Sequence, residues 1–99
     1  GHAPEPFRPC ATARLAARIA LLRGDEPRAV EQLHRSHAAH AEIGAVDEAA
    51  RDRWALGSLL GGSEGQAHTS AALERLRLQG IADPLADLRG YYPELLQRG

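Results

Sequence analysis

LLRGDEPRA, residues 21–29, and LLGGSEGQA, residues 59–67, lie 38 positions apart and agree at both leucines, a glycine, the glutamate and the alanine. Ala17 with Ala55 and Ile43 with Ile81 keep the same offset. Alanine matches are cheap in an alanine-rich chain, so the weight rests on Leu-Leu-x-Gly-x-Glu and the distant isoleucine pair. Each stretch ends an apolar helix at glycine and opens the next with a capping residue. A repeat of this length implies stacked helical hairpins, because one hairpin cannot bury its apolar face alone.

Working outward, Leu15, Ile19 and Leu22 recur at helical spacing and predict a helix from Cys10 to Arg23. A second helix starts near Pro27, capped by Asp25 or Glu26, and runs through Val30 and Leu33 towards Ile43, where Gly44 stops it. A third opens after Gly44, with Asp47 and Glu48 favouring the dipole of its first turn, and continues through Trp54 to Leu60. Ser63 with Gln66 three residues on has the capping-box spacing and predicts a fourth helix to about Gln79. Asp83-Pro84 and Tyr92-Pro93 each begin a short further turn.

The predicted class is therefore all-α: antiparallel hairpins at 10–44 and 45–81 and a C-terminal capping segment at 82–99, preceded by an arm at 1–9. The three prolines of GHAPEPFRP exclude regular helix before Cys10. Gly1-His2 and the lack of Met suggest a tag remnant on a piece of a longer chain. Aromatics make up only 4% of the residues, so the core must come from closely spaced helices with small contacts. No alternating run of β-branched residues predicts a strand.

Net charge is −1, with acids and bases interleaved, which argues against nucleic acid as a partner. Every basic side chain other than histidine is arginine, so the chain is rich in planar, bidentate donors. A single cysteine, Cys10, excludes an internal disulfide and a cysteine-based zinc site, and a cytoplasmic location is the default expectation. No apolar run reaches membrane-spanning length.

Gly24-Asp25 followed by Ala29, with Ala17 in the preceding helix and Leu33 in the next, resembles a tetratricopeptide repeat. The second hairpin repeats Ala55, Gly62 and Ala67, puts Ala71 where a larger residue is expected, and lacks the usual aromatic pair of the first helix. Its period exceeds the family's 34 residues. WALGSLLGGSEG with LRLQGIADP also resembles the C-terminal end of repeat arrays in large bacterial Ser/Thr kinases and ATPase-linked regulators. The likeness covers roughly residues 10–81. It implies an α-solenoid fragment that binds a protein or peptide, in a scaffold of a bacterial regulatory protein. The family's groove positions fall on Ala11, Arg14, Arg18 and Leu21, and on Ala49, Asp52, Leu56 and Leu59.

Arg14 and Arg18 are neighbours one turn apart with no acid at helical distance in their own helix, so they are suited to an acidic peptide. Their alternative is to stand in solvent or to bridge to Asp52 in the next hairpin. Tyr91 and Tyr92 form a second candidate surface, or fold back over the last hairpin's apolar end.

HRSHAAH, residues 34–40, invites reading as a metal site. On a helix His34 and His37 lie about 60° apart, as do His37 and His40, so the three cannot converge on one ion. His37 and His40 are the pair a helical metal- or ligand-sensing domain would use, but no further ligands accompany them. Packing and surface roles fit better, and no cofactor is expected. Neither a phosphate loop nor a nucleophile elbow occurs, which argues against an enzyme. An exposed repeat end would also serve homo-oligomerisation.

Overall fold

The computed structural model describes residues 8–96, with side chains from Ala11 onward. Six helices follow one another: α1 (Arg8–Leu22), α2 (Glu26–Glu42), α3 (Val46–Leu60), α4 (Gly62–Leu78), α5 (Pro84–Tyr91) and α6 (Pro93–Leu96). No strand occurs among the described residues. None of these helices is long and apolar enough to cross a membrane.

Local sequence sets most of the boundaries. Asp25 accepts from the Arg28 backbone N–H and Asp83 from that of Ala86, each at 3.2 Å, and a proline follows within two residues in both cases. Gly24, Gly44 and Gly80 take left-handed φ values of 74°, 76° and 91°, which lets Asp25, Ala45 and Ile81 donate back to the carbonyls of Ala20, His40 and Leu76. Two expectations shift. Helix α1 begins at Arg8 rather than Cys10, because Pro9 sits in the first turn where no backbone donor is needed. The rest of the predicted arm, residues 1–7, lies outside the described residues. Helix α4 starts at Gly62 with Gly61 as its cap and no side-chain cap bond, so the Ser63 capping box does not form.

Consecutive long helices pack as neighbours, α1 on α2, α2 on α3 and α3 on α4. Short turns join them, so each pair is antiparallel. Helix α3 is enclosed most completely, with Ala49, Ala50, Trp54, Ala55 and Leu56 all buried. Its approach to α4 is close because both partners lack a side chain: a Cβ on Gly57 would stand 2.7 Å from the Gly65 carbonyl oxygen and 2.9 Å from His68 Cβ.

The C-terminal segment does not extend the row of helices. Helix α5 touches α4 and α6 touches α1, so the segment lies as a strap from one hairpin to the other. Leu88, Tyr92 and Leu95 enter the shared core beside Leu33, Trp54 and Leu76.

Helix α1 is unusual in the face it buries. Ala13, Ala17 and Ala20 face inward, while Leu15, Ile19 and Leu22 are 58%, 40% and 72% exposed. The periodicity that predicts this helix therefore belongs to its outer surface.

Candidate functional site

Asp52 is fully buried at the centre of α3 and accepts hydrogen bonds from three other parts of the chain. From α1, Arg14 reaches Oδ1 with Nη2 at 3.0 Å and Nε at 3.2 Å. From α2, Ser36 Oγ donates to Oδ2 at 2.8 Å, and His40 Nδ1 lies 2.7 Å from the same oxygen. From the strap, the Tyr92 hydroxyl donates to Oδ1 at 2.5 Å and accepts from Arg14 Nε at 3.2 Å. A buried carboxylate is tolerable only when its charge is paired and its lone pairs are filled, and here both conditions hold.

The cluster contains serine, histidine and aspartate but does not form a nucleophilic relay. Ser36 and Asp52 both meet the same ring nitrogen of His40, with Ser36 Oγ 3.4 Å from Nδ1, and all three side chains are buried. A relay needs hydroxyl and carboxylate on opposite nitrogens, with the hydroxyl open to substrate. What this arrangement does is tie α1, α2, α3 and the strap to one charge.

Arg14 is saturated. Besides Asp52, it donates to Glu48 Oε2 at 2.8 Å and to the Glu48 carbonyl at 3.2 Å. Burial disfavours its charge, but Tyr92 and Asp52 more than offset this and hold the guanidinium pKa above its ordinary value. For Tyr92, burial and the Asp52 charge raise the hydroxyl pKa well above the usual tyrosine value, against a smaller opposing pull from Arg14.

A second network secures the strap's other half. Arg51 makes a bidentate pair with Asp87 of α5, at 2.8 and 3.0 Å, and also bonds Glu48. The Tyr91 ring is covered by both arginines, with Arg51 at 4.2 Å and Arg14 at 5.2 Å from its centroid. Burial works against the Arg51 charge, yet Asp87, Tyr91 and Asp47 leave its pKa raised. Arg18 Nε donates to one oxygen of Glu94 at 2.9 Å, and Nη2 stands 2.8 Å from the same oxygen as an ion pair. The other oxygen, Glu94 Oε2, is buried and has no hydrogen-bond partner among the described residues.

The residues singled out from sequence thus occupy different situations. Arg14, Asp52 and Tyr92 come together, Arg18 stands beside them on Glu94, Tyr91 is half-buried under the arginines, and Leu56 is buried in the core. His40 is buried on Asp52, whereas His37 is half-buried on another side of α2 and lines a separate trough. No group of three or more histidine, cysteine or acidic side chains that could hold a metal occurs among the described residues. Sequence reasoning missed Ser36, Glu48, Arg51, Asp87 and Glu94. A signal for one existed: Ser36 lies one turn before His40 on the face that meets α3, where a hydroxyl needs a partner.

Beside the strap, a recess of about 410 Å³ is walled by Arg14, Leu15, Arg18 and Tyr91. Compared with protein-family models, curated proteins and solved structures, the chain matches none of them.

Proposed function

We propose that the domain is a protein-interaction module of tetratricopeptide-like design, whose α1–α3 face receives an acidic segment bearing an aromatic residue. One observation carries the reading: the chain's own strap occupies this face as a bound peptide would. Tyr92 inserts onto Asp52 and Arg14, Glu94 meets Arg18, and Leu95 fills the apolar contact between them and the core. Arg14 and Arg18 are then readers of acidic groups whose ligands are supplied in cis.

The seating at Glu94 is incomplete. Leaving one buried carboxylate oxygen without a donor costs about 1–3 kcal/mol, so a partner segment with a better-placed acid has an advantage over the strap. The recess walled by Leu15 and Tyr91 gives such a segment room to extend.

The test uses a labelled peptide with the sequence of residues 84–96 and two forms of the full chain. Leu95→Asp loosens the strap by placing a charge in the core, and it should bind the peptide while the parent chain, already occupied, binds far more weakly. If neither form binds while both stay helical, the face is not a peptide site.

A second reading is favoured by the exposed row Leu15, Ile19 and Leu22, which would suit self-association through α1. Light scattering across a concentration series separates the two, because a peptide-binding module remains monomeric.

A further inference from the structure

Four arginines among those whose side chains are described are buried or half-buried: Arg14, Arg18, Arg51 and Arg53. The first three each hold a carboxylate. Arg53 is the exception, since its Nε donates to His68 Nδ1 at 3.0 Å and no acidic side chain pairs with it among the described residues. In a fold that otherwise neutralises its half-buried guanidinium groups, this leaves one cation without its acid.

Arg53 stands in the wall of an open trough of about 440 Å³ between α2, α3 and α4. The floor and sides are apolar and mostly small, formed by Ala41, Val46, Ala49, Ala72 and Leu78. His37 and Arg75 join Arg53 along the polar edge. Burial and the nearby Arg53 charge lower the His37 pKa despite the opposing Asp52, so its ring is a neutral hydrogen-bonding group at neutral pH. Glu74, the one acid of the trough, repels a second negative charge on any occupant.

The size falls in the range of small-molecule sites, which combine an apolar lining with a few convergent polar groups. We infer that the trough is a binding site for a small apolar monocarboxylic acid, with the carboxylate on Arg53 and the hydrocarbon body over the alanine floor. Alanine gives the ligand a smooth apolar bed with no side-chain freedom to lose on binding. Arg53 and Arg75 against Glu74 leave the trough one net positive charge, which selects one negative charge over two or none. This site is separate from the α1–α3 face and does not depend on the peptide reading.

The probe is decanoate, below its micelle concentration, titrated into the full chain and followed by amide NMR shifts, with decanol as the uncharged control. Decanoate should saturate one site, shift Ala41, Val46, Ala49 and Ala72, and bind about tenfold more tightly than decanol, the worth of one charge-assisted hydrogen bond. Arg53→Gln should bring decanoate down to the affinity of decanol. Ala41→Phe, at an exposed position on the rim, should block both ligands and leave the helical spectrum intact. Equal affinities for decanoate and decanol, or unchanged binding in both variants, overturn the inference. So do shifts at Leu15, Ile19 and Leu22 in place of the trough, or saturation by an acidic amphipathic peptide helix with no binding of decanoate.

Discussion

Arg14 and Asp52 lie 38 residues apart, the offset that separates LLRGDEPRA from LLGGSEGQA, and meet as an ion pair at 3.0 Å. Residues at that offset thus stand in contact on α1 and α3, with opposite charges. Because Ser36, His40 and Tyr92 converge on the same carboxylate, this pair sets the geometry of the α1–α3 face and the seat of the strap.

Removing the charge at the centre should be severe. Asp52→Ala leaves the Arg14 guanidinium largely buried with only Glu48 to balance it, and breaking a buried pair in this way costs about 3–5 kcal/mol. Ser36→Ala removes one of several donors to a carboxylate that keeps the rest, and should cost about 1–2 kcal/mol. Chemical denaturation followed by circular dichroism measures both.

Alkaline pH should weaken the fold through Tyr92. Its pKa is raised in the folded chain, so above about pH 10 the unfolded chain loses a proton that the folded chain retains. The stability from this group is complete below that pH and declines as pH rises further. Denaturation midpoints between pH 8 and 11 should fall in the parent chain and flatten in Tyr92→Phe.

On the acid side the sign is reversed for His37. Its folded pKa is lowered, so below about pH 6.5 the unfolded chain takes up a proton before the folded chain does, and stability falls as pH drops towards the folded value. His37→Gln should lessen the slope between pH 7 and 5 in the same denaturation series.

Glycines offer a paired test of packing. Gly57→Ala drives a methyl against the Gly65 carbonyl and must separate α3 from α4, at about 1–3 kcal/mol. Gly90→Ala lies within α5 with open space around it and should stabilise by about 0.5–1 kcal/mol. Melting temperatures moving in opposite directions would bear out the helix contacts.

What could be read from the sequence was local. Asp25 and Asp83 announce their helices because a cap and the following proline act within one turn, and the glycines after α1, α2 and α4 end them by the same short-range logic. The four long helices and the two short ones follow from such signals. Ser63 failed because Gly61 and Gly62, both at positive φ, start α4 before the serine can cap it. The orientation of α1 was hidden for a different reason: leucine spacing reports an apolar face but not whether anything covers it, and alanines 13, 17 and 20 give the closer approach to α2. At the candidate site, Arg14, Asp52 and Tyr92 stood out individually. Their convergence depends on the strap crossing from α4 to α1, a long-range choice that no neighbouring residue encodes.

The central claim is that Asp52 holds the strap on the α1–α3 face through Tyr92. A double-mutant cycle with Asp52→Asn and Tyr92→Phe, read by urea denaturation, tests it most directly. The account predicts a coupling of about 1–3 kcal/mol, as expected for a buried hydrogen bond to a charged group. Additive effects, with no coupling beyond about 0.5 kcal/mol, would contradict it.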